Sequence, residues 1–405
     1  MRVIQKFGGT SVADADRIRH VAGQVARRIR NGDQVVVVVS AMGNRTDELI
    51  DLALSVSPDP EPRELDQLLA TGEHMSAALM AMALQAMGQE AIGLTGSQAG
   101  IYSRAAHGAG RIERIDADRI EDELRSGRIP IVAGFQGVTE ELDYVTLGRG
   151  ASDLTAVALG VALQADRCET YKDVEGVYTA DPRVVPNARR LIDLHYEEML
   201  EMATQGSQVM HNRAVELAAT HELPILVASS MIDVPGTLIH GGPEMEERNR
   251  VRSVVDDHDI AKVTLRHVPD QRGIAARIFE PLAEAAISVD TIVQNASEQK
   301  LTDLTFTIAH EDLRRAEGLM ESICESIGAN GYTTETNLGK VSIVGAGIQT
   351  ESGYAARMFR ALADANVNID LITTSEIRIT CIVHSDHVGK AVNALHKAFG
   401  LDQEA

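Results

Sequence analysis

Val3–Ser11 reads VIQKFGGTS: an apolar run that ends in a lysine, then two glycines and two hydroxyl residues. That order spells strand, tight turn, helix. Asp14–Arg30 continues it with apolar residues at helical spacing and closes on Asn31-Gly32. In an open α/β sheet, ligands meet the carboxyl ends of the strands, and Lys6 stands at such an end. Gly8 and Gly9 let backbone N–H groups approach an anion without a Cβ in the way, and the following helix adds its positive end. The familiar G-x-x-x-x-G-K-[ST] loop carries its lysine after the glycines; here Lys6 precedes them. A tight turn with a solvent-facing lysine is the alternative at this point.

Working outward, strand and helix keep alternating. QVVVVVSAM reads as a parallel strand covered on both faces, and TDELIDLALSV as a helix entered near Thr46. ELDQLLATGEHMSAALMAMALQAMG reads as a long helical stretch interrupted at Gly72. IPIVAGF and LPILVAS are further buried strands, and DLTAVALGVAL is a helix rich in small residues. The expectation is a parallel or mixed sheet between helical layers over roughly the first 240 residues.

The 405 residues suffice for two or three domains. Aromatic residues are 3 % and tryptophan is absent, so Ala, Val, Leu, Ile and Met must build the core. A net charge of −21 repels nucleic acid and anionic membranes, which excludes both as partners. Anionic ligands would need clustered local cations. Cys168, Cys324 and Cys381 lie far apart in apolar surroundings, which points to buried thiols and no metal site. No signal peptide or membrane helix is legible, and a cytoplasmic location is expected.

Near residue 241 the texture changes to the charged GGPEMEERNRVRSVVDDHD, read as a linker. A repeat follows. Gly273–Asp290 (GIAARIFEPLAEAAISVD) and Gly353–Asp370 (GYAARMFRALADANVNID) agree at nine of eighteen positions with an offset of 80. Each follows a strand and precedes two more strands and a helix, which suits two copies of a β-α-β-β-α-β module. The expected divisions are 1–244, a linker at 245–262, and modules at 263–338 and 339–405.

Three further segments carry chemistry. TLGRGASDLTAVAL flanks Arg149 with Gly148 and Gly150, and Ser152 and Asp153 open the next helix as N-caps. Arg149 can hold a carboxylate bidentately. YKDVEGVYTADPRVV offers Lys172, Asp173, Tyr178, Asp181 and Arg183 to a nucleotide; a surface loop is the plain alternative. Ser40 and Thr46 in SAMGNRTDEL and Glu73 in GEHMS add hydroxyls and a carboxylate that can bind an ammonium, or can be mere caps and surface charge.

Taken in order, K-F-G-G-T-S, S-A-M-G…T-D-E-L, G-E-x-M-S, V-A-G-F-Q-G, T-L-G-R-G-x-S-D-x-T-A and D-V-x-G-V-Y-T-A-D-P-R resemble the aspartate kinase (aspartokinase) family across essentially the whole chain. The resemblance implies the amino-acid kinase fold, a three-layer αβα sandwich, followed by two ferredoxin-like ACT regulatory domains. It also implies transfer of the γ-phosphoryl of ATP, with Mg2+, to the side-chain carboxylate of L-aspartate. Such a carboxylate, with a pKa near ~3.9, needs no general base but does need its charge neutralised.

By the same resemblance, Lys6 neutralises the transferring phosphoryl and Asp153 organises it. Arg149 and Gly150, with Ser40, Thr46 and Ser152, take the substrate carboxylate, and Glu73 faces its ammonium. Lys6, Phe7, Gly8, Gly9, Lys172, Asp173, Tyr178, Thr179, Asp181, Arg183 and Gln208 surround ATP. Gln208 is a departure, because the family often has lysine there, in G-[AS]-K-V-[LM]. The turns Arg272-Gly273 and Ser352-Gly353 depart from a frequent P-G.

The paired modules imply feedback by lysine, threonine or both, within a homodimer joined through its ACT domains or a complex with a shorter subunit started near Met245. The implied effector positions fall in two groups. One is Asp270, Gly273, Ile274 and Ala275 with Ser288, Val289, Asp290, Gln294 and Asn295. The other is Asn368, Ile369, Ser375 and Glu376. Two rivals stand beside this reading: a kinase of the same fold acting on glutamate or N-acetylglutamate, which would lack the repeated tail, and a non-catalytic amino-acid sensor, which would not need Lys6, Arg149 and Asp153.

Overall fold

Five consecutive valines cannot be accommodated with one face in water, and Val35–Val39 are all fully buried. The computed structural model describes residues 1–104, 106–242, 250–295, 301–348 and 352–403; Met245 lies outside them. The chain divides into two units. The first holds Met1–Tyr178, Arg190–Thr204 and residues from Gln208 to the turn after the last strand of that half. The second holds Thr179–Arg189, Gln205–Ser207 and the described residues from Arg250 onward.

In the first unit, β1 (Arg2–Phe7) leads through a 3-10 turn (Gly9–Val12) to α1 (Ala15–Arg30) and β2 (Gln34–Val39). Then come α2 (Arg45–Val56), α3 (Pro62–Ala86), β3 (Ala91–Leu94), β4 (Ile101–Ser103) and β5 (Ile112–Ile115). Next are α4 (Asp118–Arg125), β6 (Ile129–Ala133), β7 (Gln136–Val138), β8 (Tyr144–Thr146), α5 (Ser152–Ala162) and β9 (Arg167–Lys172). The unit closes with β10 (Asp193–His195), α6 (Tyr196–Thr204), α7 (Asn212–Thr220), β11 (Ile225–Ser229) and β12 (Thr237–His240).

Eight strands form the main sheet in the order β10-β12-β11-β9-β1-β2-β6-β3. All neighbours are parallel except β11 and β12. β1 is central: Phe7 is in register with Val39 on one side and Tyr171 on the other. The strand order therefore places the ends of β1, β2, β6 and β9 side by side. On one face, Phe7, Val21, Val25, Val37, Val39, Met80 and Leu84 share a core. On the other, α5 lies so close that a Cβ on Gly160 would meet Leu223 at 2.6 Å. A smaller sheet, β5-β4-β7-β8, has no counterpart in the sequence reading.

Two local expectations fail. α3 runs through Gly72 unbroken, because that glycine serves packing: a Cβ there would lie 2.9 Å from Ala41 Cβ. The helix after the double glycine does not offer it an open positive end. A 3-10 turn intervenes, and α1 begins with Asp14 accepting the Arg17 N–H at 2.9 Å.

The second unit contains β13 (Ser253–Asp257), β14 (Ala261–Pro269), α8 (Ile274–Glu284), β15 (Val289–Gln294), β16 (Leu301–Ile308), α9 (Leu313–Ile327) and β17 (Tyr332–Glu335). It continues with β18 (Leu338–Val344), α10 (Tyr354–Asp364), β19 (Leu371–Ser375), β20 (Arg378–His384) and α11 (Val388–Ala398). The first module is β14-α8-β15-β16-α9-β17, with its sheet ordered β15-β16-β14-β17. The second repeats this order as β13-β18-β20-β19, and takes its edge strand from the stretch read as linker. Ser253 thus pairs with Val344 across the intervening first module.

The modules also exchange charges. Lys340 on β18 donates to Asp290 of the first module at 2.7 Å, and Lys262 on β14 donates to Asp370 of the second at 3.1 Å. These are equivalent positions of the repeat, so the two ion pairs are reciprocal. Two segments that interrupt the first unit in sequence, Thr179–Arg189 and Gln205–Ser207, also build this unit. Thr179 Oγ1 meets His396 Nε2 at 2.8 Å, and Gln205 Oε1 accepts from Ser342 Oγ at 3.2 Å. Cys168, Cys324 and Cys381 are buried free thiols. Among the described residues no helix is long and apolar enough to cross a membrane.

Candidate active site

The carboxyl ends of β1, β2, β6 and β9 meet at one edge of the main sheet. Hydrogen bonds tie their exits together: Gly8 N–H to Tyr171 O at 3.1 Å, Ser40 N–H to Phe7 O at 3.1 Å, and Gly134 N–H to Val39 O at 3.0 Å. Backbones approach closely here, and glycine is required for it. A Cβ on Gly9 would sit 2.7 Å from Ala41 O, and one on Gly134 would sit 2.8 Å from Ser152. Gly9 therefore packs the turn after β1 against the turn after β2, and Gly134 packs the turn after β6 against the start of α5.

Asp153, in the first turn of α5, lies at the centre. Its Oδ1 is 2.6 Å from Lys6 Nζ, and its Oδ2 accepts from Lys172 Nζ at 2.8 Å. Burial alone would raise the Asp153 pKa, but the ammonium groups of Lys172 and Lys6 outweigh it and hold the carboxyl far below the usual range. Burial lowers the Lys6 pKa; Asp153 opposes that shift and the Lys172 charge reinforces it. Buried Lys6 and half-buried Lys172 thus share one buried carboxylate, a local excess of cation in an acidic chain. A Cβ on Gly8 would lie 3.8 Å from Lys6 Nζ, so the lysine reaches the glycine turn it precedes.

The N-cap reading of Ser152 and Asp153 is corrected. The cap position is Ala151 and no side chain caps α5. Two ammonium partners satisfy the Asp153 carboxylate more strongly than backbone N–H groups would.

Glu73 projects from α3 toward the exit of β2. Its Oε1 accepts the Ala41 N–H at 3.0 Å, and its buried Oε2 has no hydrogen-bond partner. Burial pushes its pKa up to about 7, against the lowering effect of the Ala41 N–H. Arg149 extends from the Gly148–Gly150 turn and pairs with Asp47 at 3.3 Å, both side chains being exposed. Asp47 adjoins Thr46 in the first turn of α2, so this pair brings the arginine turn and Thr46 together. An exposed pair of this kind is worth little and exchanges readily for a ligand carboxylate.

Residues 1–229 match the family model described as the amino acid kinase family, and residues 263–327 and 341–399 each match an ACT domain model. The chain is 48% identical over 411 residues to the aspartokinase of Mycolicibacterium smegmatis, covering 100% of this chain and 97% of that one. This chain belongs to the aspartokinases, within the amino acid kinase family.

Among solved aspartokinases, E. coli aspartokinase III in complex with aspartate and ADP (R-state) is 26% identical with a TM-score of 0.86, covering 99% of this chain and 100% of that one. The same enzyme in complex with lysine and aspartate (T-state) is 25% identical with a TM-score of 0.72, covering 98% and 99%. The expected fold class, an amino-acid kinase fold followed by two ACT domains, is the one found.

Of the other aspartokinase positions singled out in the sequence, Asp173 and Gln208 are exposed in the first unit, and Tyr178 bridges to Arg190 there. Thr179, Asp181 and Arg183 belong to the second unit, where the Arg183 guanidinium grips Asp181 through contacts of 2.6 and 3.0 Å. At the repeat turns, Gly273 (φ +81°) and Gly353 (φ +107°) cap α8 and α10 in the left-handed region that favours glycine. Ile274 is buried beneath its turn, whereas Asp270, Ala275, Ser288, Gln294, Asn295, Asn368 and Glu376 are exposed. Val289, Ile369 and Ser375 are half-buried. Asp290 accepts from the Lys340 side chain at 2.7 Å.

Sequence reasoning passed over Asp47, the pairing of Lys172 with Asp153, and His211. A Cβ on Gly150 would lie 3.4 Å from His211 Cδ2, and the buried His211 Nδ1 has no hydrogen-bond partner. Nothing in local periodicity marks these contacts, which join elements far apart in the chain.

Proposed function

We propose that this chain transfers the γ-phosphoryl of ATP to the side-chain carboxylate of L-aspartate, giving 4-phospho-L-aspartate and ADP. The Lys6–Asp153–Lys172 group, centred on a buried carboxylate, carries the reading. One anion must attack another, and the chemistry calls for fixed positive charge at the reacting centre and no proton acceptor. The relatives named aspartokinase, and the E. coli enzyme crystallised with aspartate and ADP, support the choice of substrate.

In this mechanism Lys6 and Lys172 take up charge on the transferring phosphoryl, and Asp153 holds both ammonium groups in place. Gly8 and Gly9 present N–H groups to the phosphates. Arg149, with Ser40, Thr46, Gly150 and Ser152, receives the α-carboxylate, and Glu73 receives the ammonium. This leaves the side-chain carboxylate directed at the phosphoryl. Phe7, Asp173, Tyr178, Thr179, Asp181, Arg183 and Gln208 are proposed as further ATP contacts on the sequence motifs. Mg2+ accompanies ATP and neutralises phosphate charge. Among the described residues no group of three or more His, Cys, Asp or Glu side chains is placed to hold a metal ion.

The catalytic domain at 1–244 and ACT domains at 263–338 and 339–405 complete the proposal, with Ser253–Asp257 of the expected linker at 245–262 serving as an edge strand of the second ACT sheet. It places the chain at the first step of lysine, threonine, methionine and diaminopimelate biosynthesis in the cytoplasm. Lysine or threonine would inhibit it through the ACT turns, in a homodimer or a complex with a shorter subunit started near Met245. The E. coli relative crystallised with lysine supports lysine as the effector type.

Hydroxylamine trapping of the acyl phosphate tests the reaction, with aspartate, glutamate or no acid supplied. Product with aspartate alone is expected, and product with glutamate alone would overturn the substrate. No product with any acid would favour the sensor reading. Lysine and threonine titrations test the effector.

A further inference from the structure

α7 reaches the site from the side, through a residue that the reading of the motifs leaves unused. Arg213, in its first turn, donates from Nη1 to the Leu147 carbonyl at 2.9 Å and from Nη2 to the Gly110 carbonyl at 3.1 Å. Leu147 immediately precedes the Gly148–Arg149–Gly150 turn, and its own N–H is held by Phe135 O at 2.9 Å. Gly110, which precedes β5, in turn donates its N–H to Thr146 O at 2.8 Å, so Arg213 grips the exit of β8 and the segment bonded to it.

Beyond Leu147 the turn is held by two backbone hydrogen bonds from the start of α5, Ala151 N–H to Gly148 O at 3.1 Å and Asp153 N–H to Gly150 O at 3.3 Å. Gly148 (φ +95°) and Gly150 (φ +76°) are both left-handed glycines with wide conformational freedom. The Arg149 side chain is 78% exposed, and it pairs with Asp47. On the other side of the turn, Gly150 rests against His211, two residues before Arg213. A guanidinium presents two N–H groups in a rigid fork, and two separate carbonyls suit that fork; an ammonium on a flexible stem does not reproduce it.

We propose that Arg213 is a positioning residue for aspartate recognition: its fork fixes Leu147, and so sets the angle at which Arg149 meets the substrate carboxylate. The proposal rests on the reading that Arg149 binds aspartate. It makes a selective claim, because Lys6 and Lys172 are carried by β1 and β9, and Asp153, although its N–H reaches Gly150 O at 3.3 Å, is held at its carboxylate by both lysines. Loosening the turn therefore weakens aspartate binding and leaves the nucleotide and the phosphoryl-transfer step unaltered.

Steady-state kinetics on the full chain test it with Arg213→Ala, Arg213→Lys and Arg149→Ala, with thermal melts checking that each variant folds. Arg213→Ala is expected to raise KM for aspartate about tenfold, or about 1.4 kcal/mol, with kcat and KM for ATP within about twofold of wild type. Arg213→Lys should recover part of that loss. If Arg149→Ala raises KM for aspartate while neither Arg213 variant does, the positioning role is refuted and the Arg149 reading stands. An Arg213→Ala protein that melts normally yet loses kcat and both KM values together also refutes it. An Arg149→Ala protein with unchanged KM for aspartate refutes the parent reading, and this one with it.

Discussion

Lowering the pH from about 8 to about 6 should weaken aspartate binding through one carboxyl group, Glu73. Its pKa stands at about 7 because burial penalises the ionised form, and a single backbone N–H, from Ala41, offsets only part of that. The buried Oε2 has no partner until a substrate ammonium supplies one. At about pH 6 roughly 0.9 of these groups carry a proton, at about pH 8 roughly 0.1. Binding must then expel about 0.9 proton at the lower pH, and aspartate affinity should fall about tenfold from its plateau, or about 1.4 kcal/mol. Calorimetric titration of aspartate into protein saturated with a non-hydrolysable ATP analogue, in two buffers of different ionisation enthalpy, counts the protons. Glu73→Gln should abolish the release and weaken aspartate by roughly 30-fold or more, because a hydrogen bond to a charged partner is lost.

The free protein gives the opposite sign for stability. A folded pKa of about 7 lies above the ordinary 4.5, so stability present below about pH 4.5 is lost as pH rises through about 7. Glu73→Gln should therefore gain on wild type between about pH 5 and about pH 8, by at most roughly 3 kcal/mol. Equal proton release by wild type and Glu73→Gln, or proton uptake by wild type, would refute the assignment of Glu73 to the ammonium.

Two further outcomes are expected. Asp153→Asn leaves the Lys6 and Lys172 ammonium groups facing each other with no carboxylate between them; it should cost about 3–5 kcal/mol in thermal or denaturant melts and lower kcat by about 100-fold or more in a steady-state kinetic assay. Gln208→Lys adds a cation at an exposed position of the proposed ATP set; it should lower KM for ATP several-fold by roughly 1 kcal/mol, with KM for aspartate unchanged in the same assay.

Much of this architecture was legible because it is written locally. The valine run, the helical spacing of Asp14–Arg30 and the glycine-punctuated strand exits are each read within a few neighbours, and the structure has them as β2, α1 and the turns after β1 and β6. The repeat at Gly273 and Gly353 was legible for the same reason, and both glycines cap helices with positive φ. Local reading failed where a residue answers to a distant partner. Gly72 looks like a helix break until Ala41 is seen against it, and Asp153 looks like a cap until Lys6 and Lys172 are seen on it. SVVDD looks like charged linker, since an edge strand needs no strong pattern of its own when β18 supplies the pairing.

By itself, the order of residues determined that Lys6, Asp153 and Lys172 exist at strand and helix ends, that the chain must gather cations against its own charge of −21, and that its tail is doubled. Only the tertiary structure decided what those residues face. Periodicity specifies which side of an element is buried, whereas an ion pair depends on where two elements, 147 positions apart for Lys6 and Asp153, bring their ends together. Crossing from strand to helix to strand placed β9 beside β1, and with it a second lysine against the same carboxylate. That juxtaposition turned a lysine before two glycines into one half of a cationic pair on a buried carboxylate.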